Sequence, residues 1–165
     1  MALLRGHRFP VEFDEAFPQG LVLMGEIEPD HEYQSQEDRA RGKEQRQRVD
    51  EVTGLRRWKA TVTDPHEVKA KRASFEVIFL AEVQPAPLPA EVLPGMRPVE
   101  LVDVQVAPKV AGQGEFKYQS YDVYASGVRA PGSGTGSSDA GQAGRSEAKA
   151  GGQKPGEAKT DTKAA

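Results

Sequence analysis

The stretch at residues 49–64, VDEVTGLRRWKATVTD, constrains the fold most. Asp50 and Gly54 bracket a short turn, since an Asp side chain bonds backbone N–H groups ahead of it and Gly accepts positive φ. A short Gly-containing connection between two strand-like runs signals a hairpin. After the turn, Trp58, Ala60 and Val62 alternate with Arg57, Lys59, Thr61 and Thr63. A period of two puts the apolar set on one face and the cationic set on the other. The spacing predicts a half-buried strand with Trp58 in the core and a basic outer surface.

The flanking segments read as further strands. Residues 9–14 alternate Phe9, Val11 and Phe13 with Pro10 and Glu12, an edge strand or extended arm. GLVLMGEIEP gives a strand with Leu21, Leu23, Gly25 and Ile27 on one face, and Gly25 marks a bulge or a close backbone approach. Residues 30–48 carry almost no apolar side chain and read as a long, mobile, charged loop, with at most a marginal helix over 36–41. Asp64-Pro65 resembles a helix start, an N-cap followed by Pro at the first helical position, with helix over 66–71. Residues 73–84 are the most hydrophobic run. Phe75, Val77, Phe79, Ala81 and Val83 lie opposite Ile78 and Leu80, a strand covered on both sides.

The five prolines of residues 84–98 favour a semi-rigid crossing without ladder pairing. Residues 99–107 form one strand with Val102, Val104 and Val106 inward, 111–114 a turn, and 115–128 a long closing strand with Phe116, Tyr118 and Tyr124 on one face. With no long amphipathic helix, the pattern predicts a mainly β domain over residues 1–129. Its form is a small antiparallel barrel or rolled sheet, OB-like, with one short helix. A β-sandwich is the alternative, with rather few strands. From residue 130 to 165 the chain turns to Gly, Ser, Ala, Lys and Glu, a tail expected to be disordered.

Chemistry is narrowed by what the chain lacks. It has no Cys, which excludes disulfides and thiolate sites, and its three His residues are scattered. No apolar run reaches the roughly 18 residues of a membrane span, and the start has no signal-peptide core. A cytoplasmic protein without membrane contact, metal or cofactor is expected. Among enzyme signatures only GSGTGSS at 132–138 resembles a phosphate loop, and it has no strand before it or helix after it. The acid pairs Asp14–Glu15 and Asp50–Glu51 sit in turns, where carboxylates are ordinary. The chain reads as non-enzymatic.

The net charge of −3 conceals segregation. Residues 39–72 hold eleven Lys/Arg against five acids, whereas the rest of residues 1–130 holds six against sixteen. The asymmetry points either to an anionic partner or to a surface laced with salt bridges. The candidate DNA contacts are Arg56, Arg57 and Lys59 on the strand and Lys69, Lys71 and Arg72 after the turn. Single-strand binding also needs exposed aromatic rings. Tyr33 and Tyr121 are placed for exposure, whereas Trp58 is not.

RFPVEFDEAFPQG, VDEVTGLRRWKATVTD and RPVELVDVQVAPKVAGQGEFKYQSYDVYASGVRAP together resemble the plasmid replication, integration and excision activators of actinobacterial integrative conjugative elements. The resemblance covers residues 8–131 and implies a regulator that switches on the element's replication, excision and integration. It assigns no residue a role, so the candidate contacts rest on charge and period. No helix-turn-helix pattern is present, which leaves β-ribbon readout, single-strand binding, or action through a replication or recombination protein as an adaptor.

Overall fold

The computed structural model describes residues 6–133. The alternation at residues 57–63 becomes a central strand with partners on both sides. The elements are β1 (Phe9–Pro10), α1 (Phe13–Ala16), β2 (Leu21–Pro29), α2 (Gln36–Ala40), β3 (Arg57–Thr63), α3 (Ala70–Ala73), β4 (Ser74–Leu80), β5 (Met96–Val102), β6 (Gln105–Gln113), β7 (Phe116–Ala125) and β8 (Gly127–Arg129). The domain is mainly β, as expected, and its strands form one sheet in the order β1-β6-β7-β4-β3-β2-β5-β8, with β1 and β8 as open edges. The ladders are antiparallel except β4–β7, which is parallel from Val77↔Val123 to Phe79↔Ala125. The expected all-antiparallel sheet is therefore mixed.

The core collects one face of each central strand: Leu21, Leu23 and Ile27, then Trp58, Ala60 and Val62, Val77 and Phe79, Val99 and Leu101, and Val123 and Ala125. Trp58 is only 8% exposed and its Nε1 donates to Ala81 O at 3.0 Å, so the parity assignment holds. Ile78, on the opposite face of β4, is also buried, which fits a strand covered on both sides. Gly25 has φ +77 and its N–H reaches Gly95 O at 2.8 Å, while the β2–β3 register shifts between Met24 and Glu28. Bulge and close backbone approach coincide there.

Several expectations are corrected. Only Phe9 and Pro10 of the first segment pair, at the β6 edge; Phe13 and Phe17 then lie four apart on the α1 turn, and Phe17 stacks on Phe75 at 5.8 Å between centroids. Three short helices form among the described residues, not one. Asp64 Oδ1 takes the His66 N–H at 2.8 Å, closing a local turn, so helix begins only at Ala70. Residues 30–48 are pinned at their base, with bridging at His31↔Gln47 and the Arg48 N–H donating to Asp30 O at 2.7 Å. Ser35 caps α2 by accepting from Asp38 N.

Pro98 lies inside β5, opposite Val22; β8 covers only Glu100–Val102, so at Pro98 the strand has no neighbour on the β8 side. The expected strand over 99–107 is two strands, broken where Asp103 takes φ +52. Val99 and Leu101 are inward before that bend and Val104 after it, leaving Val102 and Val106 half-buried. The final strand likewise breaks at Ser126, whose N–H bonds Val102 O at 2.9 Å.

The last turn narrows to Gly114-Glu115, because Gln113 still pairs with Phe116. Gly112 is required just before it, since a Cβ there would lie 2.0 Å from Phe116 O. From Pro108 to Tyr121 the β6–β7 hairpin runs beyond the β4 pairing as a two-stranded ribbon, so Phe116 and Tyr118 are exposed rather than inward. Of the expected tail, residues from 134 onward lie outside the described ones; Gly132 N still donates to Glu100 Oε1 at 2.7 Å. That bond, with burial opposing it and Arg129 assisting, holds the Glu100 carboxyl below its usual range.

Candidate nucleic-acid interface

The six candidate cations fall into two groups. A seven-residue strand spans roughly 20 Å, so Arg56, Arg57 and Lys59 sit at one end of β3 and Lys69, Lys71 and Arg72 beyond the other. One continuous patch is not formed.

Of the first group, only Arg57 is engaged inside the protein. Asp30 is buried, and Arg57 Nε lies 3.0 Å from its Oδ2, with Arg48 at 3.9 Å. The Arg57 Nε–H is not aimed for a hydrogen bond, so the contact is an ion pair. Lys59 stands opposite Glu28 across the β2–β3 ladder but makes no ion pair with it, and Arg56 is exposed.

The same sheet face is clasped further along. Arg8 sends both terminal nitrogens to the Asp50 carboxylate, Nη1 to Oδ2 at 3.1 Å, and its guanidinium lies 4.0 Å from the Tyr124 ring centroid. Asp50 Oδ2 also takes the Thr53 N–H at 2.9 Å and its hydroxyl at 2.7 Å, which is the turn chemistry expected of it. Burial alone would raise the Asp50 carboxyl, but the Arg8 and Thr53 bonds outweigh it and bring it down to about 2. Because that lies below the unfolded value of 3.8, the ionised form stabilises the fold. The contribution, about 2 kcal/mol, is complete above roughly pH 4 and is lost as pH falls toward 2. Urea unfolding in Asp50→Asn should lack that acid-limb loss; an unchanged limb would place the loss elsewhere.

The second group is free. Among the described residues no ion pair holds Lys69, Lys71, Arg72 or Lys117, nor Arg56 and Lys59 of the first group, whereas Arg8, Arg57, Arg97, Lys109 and Arg129 are all paired. Carrying the parallel β4–β7 register five residues back aligns Arg72 with Tyr118, and the Arg72 guanidinium lies 5.9 Å from the Tyr118 ring centroid. Arg72 is thereby seated at the side of the ribbon, which exposes Val110, Phe116, Tyr118 and Tyr121. Tyr33 and Tyr121 are exposed as expected; Tyr118, whose ring meets Arg72, was expected on the face opposite Tyr121 and is exposed as well. The signal that could have found it is hairpin length, since β6 and β7 exceed the seven residues of β3 and β4.

A cleft of about 670 Å³ separates the arm from the Asp103 bend and is lined by Glu12, Asp103, Tyr124, Ser126 and Arg129 among others. Its Ser126 Oγ donates to Asp103 Oδ2 at 2.7 Å, and Arg129 is held by Glu100 at 2.9 Å. No His lines it to serve as a base for Ser126. Among the described residues, no cluster of three or more His, Cys, Asp or Glu could hold a metal, and no helix is long and apolar enough to cross a membrane. Compared with known protein families, curated proteins and solved structures, the chain matches none.

Proposed function

We propose that this protein is a non-enzymatic, DNA-associated regulator of a mobile genetic element, serving its replication, integration and excision. Its DNA contact is the surface where α3 meets the ribbon. One observation carries this reading: Lys69, Lys71 and Arg72 stand outside every ion pair among the described residues, beside an exposed tyrosine. Unpaired cations can exchange their hydration and counterions for phosphates, whereas Arg57 would first have to leave buried Asp30.

The reading takes the sheet as rolled in the manner of an OB-like barrel. In support, the Glu100–Arg129 to Val102–Gly127 ladder continues in the same register as Gln105–Tyr124 across the Asp103 bend. At the same time β5 lies against β2 and β7 against β4. In such barrels the face of the second and third strands, with the loops joining strands one to two and four to five, receives oligonucleotides. Here those parts would be β3–β4, residues 30–56 and the ribbon tip. The bare apolar ribbon favours the second reading, an adaptor that docks a replication or recombination protein.

Replacing Lys69, Lys71 and Arg72 with Ala should weaken DNA binding across unrelated sequences. The logarithmic salt slope should flatten by about 0.9 on duplex, and about 0.7 on a single strand, for each phosphate no longer neutralised. Thermal stability should change little, because these charges are exposed and unpaired. Wild-type protein that binds no DNA at low salt would move the assignment to the adaptor.

A further inference from the structure

We infer that the ribbon's Phe116 and Tyr118 form a stacking slot for an unpaired base, which makes single-stranded DNA the preferred ligand; this rests on the DNA-binding reading above. The two rings share one face of the ribbon, because they lie two residues apart on β7. Their partners across the ladder are Gln113 and Ala111, the latter too small to cover the Tyr118 ring, which Arg72 meets from α3. Phe116 is 86% exposed at the ribbon tip and Tyr118 54%.

Two residues along a strand advance about 6.7 Å. Stacked bases rise about 3.4 Å. The two positions are therefore spaced for one base between two rings. Paired bases in a duplex are already stacked on their neighbours, so the slot discriminates for unpaired ones. Arg72 meets Tyr118 from α3, so a cation stands beside the slot where the backbone of a stacked strand would run, while Lys117 lies on the opposite face of the ribbon. A second copy is the rival occupant of the face. A two-fold pairing through Tyr118 would bring both sets of unpaired α3 cations together, and like charges in apposition are costly.

The test uses the full chain and a fluorescein-labelled strand of about 20 nucleotides, longer than the ~4–16-nucleotide site of one such domain. The same strand is also measured annealed to its complement and with adjacent abasic sites. The single strand should bind more tightly than the duplex, and abasic sites should weaken binding without any change to the protein. Phe116→Ala and Tyr118→Ala should each weaken single-strand binding by about tenfold with the salt slope unchanged, since no cation is removed. Phe116→Trp and Tyr118→Phe should restore it. Equal affinity for all three probes, unmoved by either Ala variant, would overturn the slot and leave DNA binding standing. No binding to any probe at low salt would overturn both. A dimer that Phe116→Ala converts to monomer, with DNA affinity unchanged, would give the face to a second copy and overturn the slot.

Discussion

Trp58→Ala is expected to cost about 3–5 kcal/mol of folding stability, the range for truncating a large buried aromatic. The indole pairs in register with Pro29 on one side and Phe79 on the other and sits in the core cluster. Its removal opens a void bounded by strands paired on both sides, which cannot close in around it, and leaves the Ala81 carbonyl without its donor. Urea unfolding should show a lower midpoint at constant slope. Trp58→Phe separates the two causes, keeping most of the volume while losing the hydrogen bond. Near-wild-type stability of the Ala variant would place the indole outside the core.

Arg8→Ala should be nearly as damaging, at about 3–5 kcal/mol, the range for removing one partner of a buried ion pair. The Arg8 and Asp50 side chains are 11% and 4% exposed, so the orphaned carboxylate would have little water to turn to. The variant also strips the cation from the face of Tyr124. Combining Arg8→Ala with Asp50→Asn should recover part of the loss, because the uncompensated charge is then gone. A loss below about 1 kcal/mol for Arg8→Ala alone would show that water reaches Asp50, and the pair would count as a surface bridge.

The legible parts of this fold are those whose cause is local. Trp58, Ala60 and Val62 point inward because a strand with neighbours on both sides has one core face, and period two states which. The turn made by Asp50, Thr53 and Gly54 is likewise local, with the Asp50 carboxylate taking the Thr53 N–H. The bend at Asp103 left a trace in VELVDVQVA, where the apolar parity changes at Leu101-Val102 from Val99 and Leu101 to Val102, Val104 and Val106, and Asp103, a residue type that tolerates it, takes φ +52 there.

The candidate site was half legible for the same reason. Charge density marked both cationic groups, but whether a cation is free depends on acids far away in sequence. Arg8 meets Asp50 across 42 residues and Arg57 meets Asp30 on the far side of the charged loop, and nothing near either arginine announces its partner. Phe116 and Tyr118 were grouped with Tyr124 on one face, but within the sheet the core face of β7 is the other parity, Val123 and Ala125, and beyond the sheet alternation assigns no inner face. The ribbon outruns its neighbours, so both of its faces are open.

The parallel β4–β7 ladder also sets an order of events during synthesis. Val77 and Phe79 have β3 beside them as soon as the first eighty or so residues exist, but their other neighbours, Val123 and Ala125, arrive more than forty residues later. β2 likewise waits for β5. The most hydrophobic strand therefore emerges from the ribosome with an unsatisfied edge, and only the C-terminal hairpin closes it. Pairings so distant in sequence are slow to form. Until residue 125 has cleared the exit, this edge is where a nascent chain is most open to a chaperone or to a neighbouring copy of itself.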